Sequence, residues 1–250
     1  MRPWLKIALI FATTILAVWL IWSLVIFQIL ITSSNEQPSL QAGDRVLVNR
    51  CSFGLRLPCE PLFGYHRFGT VLPQRGDRIA FNDPISSEKY ISERPLCIGT
   101  CAAIPGDTVW LRWKPYNSKT EKSYPFVVPG KDKPVNVSPW NMTLLANALH
   151  AYEHKNVCWD CDSLLVIDGV PASKVQFKED YLWILNDRYA QAYDSRLFGL
   201  LPASHLVGKL ICISYSKDSA QPFYKGYRHQ RFLLPIKAET YKRRKSCPTP

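Results

Sequence analysis

The chain has 250 residues, 31 Lys and Arg against 20 Asp and Glu, a formal charge of +11 and a 47% hydrophobic fraction. That is room for one compact domain beside a single membrane segment. The basic residues are spread along the chain instead of forming one patch, which argues against nucleic acid as a partner. No charged residue occurs between positions 7 and 31, where Ile, Leu, Val, Ala, Phe and Trp dominate. At ~1.5 Å per residue a helix of this length crosses ~30 Å of hydrocarbon, so 7–31 reads as a transmembrane anchor. The run is too long for the apolar core of a cleaved signal peptide, and it ends in Thr32-Ser33-Ser34-Asn35 without an Ala-x-Ala site. Arg2 and Lys6 precede it, which keeps residues 1–6 cytoplasmic and places the rest on the exoplasmic side.

Beyond the anchor, short apolar or alternating runs are punctuated by Gly, Pro, Asn and Asp, the pattern of a mainly β domain over 32–215. Strands are expected over 45–49, 78–81, 108–113, 164–167, 181–185 and 206–214, with Asp168-Gly169 as a hairpin turn. Residues 142–152 read as a helix, 116–139 as an irregular excursion and 216–250 as a basic tail. In that tail Lys242-Arg243-Arg244-Lys245 is a solvated end or a contact to anionic headgroups.

Eight cysteines stand at 51, 59, 97, 101, 158, 161, 212 and 247. In an oxidising compartment Cys51 with Cys59, or Cys158 with Cys161, are the nearest pairs for disulfides. Cys158-Trp159-Asp160-Cys161 also has redox-motif spacing, and with Cys97 and Cys101 it offers four thiolates to zinc. His66, His150, His154, His205 and His229 show no ligand spacing with the cysteines, and His205 reads as a packing or surface residue, so no metal or other cofactor is assigned.

Three blocks carry constrained residue types at fixed spacing. The first is Ser33-Ser34-Asn35-Glu36-Gln37-Pro38-Ser39-Leu40-Gln41-Ala42-Gly43-Asp44, running into Val46-Leu47-Val48; the second is Ile104-Pro105-Gly106-Asp107. The third is Asn186-Asp187, Asp194-Ser195-Arg196-Leu197-Phe198-Gly199, Pro202 and Val207-Gly208-Lys209. Together they resemble the signature blocks of type I signal peptidases, membrane-anchored serine proteases that remove export signals, over most of 33–214. The resemblance implies a transmembrane helix followed by a β-rich domain that binds an extended peptide by adding it as a strand.

It also implies a serine nucleophile and a lysine base, and neither stands at its place. In the register set by Pro38, Leu40, Gly43 and Asp44, Asn35 occupies the nucleophile position, and its amide nitrogen, delocalised into the carbonyl, does not attack peptide bonds. Ser33 falls on the serine that supports the oxyanion, and Glu36 replaces an apolar Met. Ser34 becomes the nucleophile only with a one-residue insertion. Six residues before Pro105 the lysine position holds Gly99, followed by Thr100 in place of arginine. Lys89 lies ten residues further upstream, and the Arg94 guanidinium does not deprotonate at working pH. Ala192 stands where relatives carry a hydroxyl directed at the lysine. Asp194 with Arg196 reads as a structural ion pair, and Gly43-Asp44 and Pro105-Gly106-Asp107 as turns, with Ser195 and Gly199 part of the same bracing loop.

These departures dismantle one proton-transfer system and spare the residues that maintain a fold. The leading expectation is a catalytically impaired signal-peptidase-like protein that binds signal peptides or exported preproteins, or assists an active paralogue. Two alternatives stand beside it: an active signal peptidase with a displaced nucleophile, Ser34 or Ser33, and an envelope thiol, disulfide or metal-binding protein working through Cys158 and Cys161.

Overall fold

The computed structural model describes residues 3–32, 40–57, 60, 64–86, 88–113, 122–159, 165–186, 193–218, 220–222 and 224–238. Helix α1 covers Pro3–Val25. The helix expected to reach residue 31 stops there, and Ile26–Leu30 leave it as strand β1, antiparallel to β2 (Asp44–Asn49). The physical reason is a change of period: Phe27, Ile29 and Ile31 pack on one cluster, the alternation of a strand with one buried face. Among the described residues no helix is long and apolar enough to cross a membrane.

Fifteen further strands follow: β3 (Leu55–Arg56), β4 (Arg67–Phe68), β5 (Arg78–Asn82), β6 (Leu96–Ala103), β7 (Thr108–Trp113), β8 (Lys122–Val127), β9 (Val135–Asn136), β10 (Val157–Trp159), β11 (Leu165–Ile167), β12 (Val170–Ala172), β13 (Lys174–Val175), β14 (Tyr181–Leu185), β15 (Leu201–Pro202), β16 (Leu206–Ser216) and β17 (Leu234–Pro235). Helices α2 (Met142–Glu153) and α3 (Ser195–Phe198) interrupt them. The main sheet is antiparallel in the order β1-β2-β16-β5-β6-β14-β15, with β17 beside β16. One face buries Ile79, Phe81, Cys101, Leu182, Ile184 and Leu206, and the other buries Val46, Val48, Ala80, Ile98, Leu210 and Ile213 under Ile31 and Leu40. A third cluster packs Leu145, Ala148 and Leu149 of α2, at helical spacing, against Phe126, Phe177, Tyr181 and Trp183.

The mainly β expectation holds, and the six expected strands correspond to β2, β5, β7, β11, β14 and β16. Asp168 and Gly169, with φ of +50° and +85°, make the expected two-residue turn between β11 and β12. Three features differ. The supposedly irregular 116–139 contains β8 and β9, and β8 escapes notice because Pro125 interrupts its pattern. β7 is its partner, and a two-stranded ribbon tolerates a missing N–H on an outer edge. β6 lies between β5 and β14 and is buried on both faces from Ile98 onward, so it lacks the alternation that marks a one-sided strand. The tail begins later than 216: residues through 238 fold back, pairing Lys217 with Tyr227 and β17 with β16.

Candidate functional site

The third sequence block is a brace beneath β6 and β14. Asp194, fully buried, caps α3: its Oδ1 accepts from the Arg196 backbone N–H at 2.9 Å. Its Oδ2 accepts from the Asn186 N–H at 3.1 Å and pairs with Arg196 Nη2 at 2.5 Å, and the same Nη2 donates to the Asn186 carbonyl at 3.2 Å. Ser195 Oγ accepts from the Ile184 N–H at 2.8 Å, and Gly199 ends the helix at φ +85°. The Asn186 amide then reaches across, its Nδ2 donating to the Ile98 carbonyl at 3.0 Å and to the Tyr193 carbonyl at 2.9 Å. The Ser195 bond reaches β14 and the Asn186 bond reaches β6, while Asp194 and Arg196 hold Asn186, so the four residues tie the β6–β14 seam together.

On that seam, Gly99 of β6 stands opposite Ile79 of β5. A Cβ built on it would lie 2.3 Å from Ile184 Cγ2, 3.3 Å from Asn186 Oδ1 and 3.3 Å from Phe81 Cε1. Ile184 Cγ2 is one bond from its own Cβ, so it moves only if a χ1 rotation disrupts a fully buried β-branched side chain. Asn186 Oδ1 is buried and has no hydrogen-bond partner among the described residues. Next along the strand, Thr100 pairs with Arg78 of β5.

The first and second blocks end in tight turns. The Ile31 N–H donates to the Asp44 carbonyl and the Gly43 N–H to the Ile31 carbonyl, both at 2.8 Å, so the chain is pinned where it enters and leaves 33–39. Gly43 has φ +92°, and a Cβ there would lie 1.9 Å from the Lys217 carbonyl oxygen. Asp44 is fully buried, accepts from the Gln41 N–H at 2.8 Å and pairs with Arg231 at 2.5 Å. Burial pushes its carboxyl up, but the hydrogen bonds from Arg231, Gln41 and Ser216 and the guanidinium charge outweigh it and hold it below the ordinary value. In the Pro105-Gly106-Asp107 turn, Gly106 has φ +91°, and Asp107 accepts from the Ile104 N–H at 2.9 Å and pairs with Arg75.

His205 is packed, at 3% exposure, between Arg94 and Tyr152. Its Nε2 lies 3.1 Å from Arg94 Nη1, and a guanidinium only donates, so the proton sits on Nδ1, 3.3 Å from Ser204 Oγ. Burial, then the charges of Arg94 and Arg56, push the imidazole down to about 3. Among the described residues no group of His, Cys, Asp and Glu is arranged to hold a metal ion. Cys51 and Cys158 are exposed free thiols; Cys59 and Cys161 lie outside the described residues. Burial pushes the Cys101 thiol up to about 12, which makes it a poor thiolate donor.

Residues 4–215 match the family described as signal peptidase, peptidase S26. The chain belongs to the signal peptidase S26 family. Over 79 residues it is 37% identical to Signal peptidase I of Pseudomonas aeruginosa, a stretch that covers 32% of this chain and 25% of that relative. The chain therefore aligns with about a quarter of that relative's length.

In this signal peptidase S26 chain, Gly99, which the sequence resemblance sets at the lysine position, lies against Ile184, Asn186 and Phe81. Ser33, Ser34, Asn35, Glu36 and Pro38 of the first block, and Asp187 and Ala192 of the third, lie outside the described residues. Of the two nearby basic residues, Arg94 donates to the Glu88 carbonyl and faces His205, while exposed Lys89 lies over the Tyr90 ring. Sequence reasoning missed Ile184 and Phe81 because they read as ordinary strand residues. It missed Arg231 because a basic residue near a C-terminus carries no spacing signal.

Proposed function

We propose that this signal peptidase S26 protein is a catalytically impaired, membrane-anchored member that binds signal peptides or other extended segments of exported proteins, or assists an active paralogue. The observation that carries the reading is the 2.3 Å approach of Ile184 Cγ2 to a Cβ at Gly99. The base position lacks its lysine, and the space where such a side chain would begin is already filled. A lone serine without a base gives no acyl-transfer chemistry at useful rates.

Binding needs less. Adding an extended peptide as a strand calls on backbone edges and pocket shape and needs neither a serine nor a lysine. The anchor reading is supported by the uncharged apolar run 7–31 of the sequence, with Arg2 and Lys6 on the cytoplasmic side and the β domain on the exoplasmic side.

The test uses full-length protein in detergent with a reporter preprotein, scoring binding and cleavage separately. Wild type is expected to bind without cutting, and Asn35→Ser/Gly99→Lys/Ile184→Ala to regain some cleavage because the third change opens room for the lysine. Cleavage by wild type that disappears in Ser34→Ala or Ser33→Ala would overturn the reading in favour of a displaced nucleophile.

A further inference from the structure

The sheet carries an open cleft on the face away from Gly99. Trp183 and Leu185 alternate with Ile184 along β14, so they point across the sheet from the residue that fills the base position. Over them the β7–β8 hairpin, α2 and α3 enclose a cleft of about 1730 Å³, beyond the ~300–1,000 Å³ of ordinary small-molecule pockets. Trp183 lies in its floor at 7% exposure, while Trp110, Leu197 and Ile85 on its walls are 68%, 65% and 58% exposed. Trp140 is held rigid beside them, its ring 4.7 Å from Tyr124 and its Nε1 donating to the Pro125 carbonyl at 3.3 Å. Rigid aromatic side chains of this kind anchor peptide interfaces at small entropic cost.

The charged side chains lining the cleft are mostly cationic. Arg75, Arg112 and Arg196 line it, and Asp107 is the one carboxylate among the lining residues. The Arg75 and Arg196 side chains are 48% and 50% exposed, whereas their partners Asp107 and Asp194 are 12% and 0% exposed. Nε and Nη2 of each hold the carboxylate beneath while about half of the side chain stays exposed, and Arg112 adds a third exposed arginine. Exposed guanidiniums beside exposed aromatic and aliphatic side chains complement carboxylates interleaved with apolar groups.

We propose that this cleft docks an acidic, apolar peptide segment of a partner protein, with Leu, Phe or Trp side chains over Trp110 and Leu197 and carboxylates on Arg112, Arg75 and Arg196. A second copy of this chain is the wrong partner, since each copy carries a formal charge of +11. A flat anionic bilayer does not reach a floor as recessed as Trp183. The proposal does not depend on the signal-peptide binding proposed above, because Gly99, Ile184, Asn186 and Phe81 do not line this cleft.

Fluorescence polarisation of full-length protein in neutral detergent tests it, using a short fluorescein-labelled peptide that alternates Asp or Glu with Leu and Phe. Trp110→Ala and Arg112→Glu are the variants, both at exposed positions, with unchanged thermal unfolding as the check on folding. The acidic peptide is expected to bind, to weaken about tenfold or more in either variant, and to weaken as salt is raised. The Asn/Gln version of the peptide is expected to bind at least about tenfold less well, and the Lys version not at all. Equal binding of the Asn/Gln or Lys version, or indifference to both variants, overturns the proposal. So does capture by phosphatidylglycerol vesicles that depends on Trp110 and Arg112 while the acidic peptide fails to bind.

Discussion

Ile184 stands against Gly99 so closely that a Cβ added to the glycine would lie 2.3 Å from the isoleucine's Cγ2. One side chain of β14 thus occupies the volume in which a residue on β6 would begin. Gly99→Ala is expected to destabilise by ~1–3 kcal/mol through overpacking, and Ile184→Ala by ~2–5 kcal/mol through the cavity it leaves. The double variant should lose less than the sum, with a coupling of ~0.5–3 kcal/mol, because each change relieves the other. Thermal unfolding of the four proteins in detergent provides the cycle, and strict additivity would show that the two residues do not meet.

The Asp44–Arg231 pair ties the turn after 33–39 to the C-terminal segment. Arg231→Ala leaves a buried carboxylate without its cation and should cost ~3–5 kcal/mol, whereas Asp44→Asn, which keeps the shape, should cost less. The Asp44 carboxyl is held below its ordinary value of 3.8, so its stabilisation is present above that pH and is lost as pH falls through the lowered folded value. Acid unfolding below about pH 3.8 should therefore be less steep in Asp44→Asn than in wild type.

His205 gives a pH dependence in a different window. Its ordinary value is 6.5 and the folded environment brings it to about 3, so between these the unfolded chain takes up a proton that the folded one refuses. Stability from this group is complete above pH 6.5 and declines as pH falls toward 3. In His205→Gln the slope of melting temperature against pH across that interval should shrink by one proton's worth. An unchanged slope would mean that the imidazole is already charged in the folded protein.

Thiol chemistry separates the cysteines by burial. Under reducing conditions a maleimide should label Cys51 and Cys158 within the native protein and leave Cys101 unmodified until denaturant is added. Mass spectrometry of the labelled peptides reads this directly. Rapid native labelling of Cys101 would show that the β5–β6–β14 core opens.

Family membership and the mainly β class were legible from the residues alone. Such features live in residue identity and local spacing: Gly-Asp turns, the Asp194-Ser195-Arg196 cap and an alternating strand such as β2 announce themselves within a few positions. Strand β6 did not, because burial on both faces removes alternation, and β1 hid inside an apolar run whose period changes only when β2 is there to pair with it. The meeting of Ile184 with Gly99, 85 positions apart in the numbering, the clasp of Arg231 on Asp44, and the gathering of Trp110, Trp183 and three guanidiniums into one cleft were decided by tertiary structure alone. Each depends on which strands become neighbours, and pairing between distant segments is fixed by how the whole core packs, which no local pattern records.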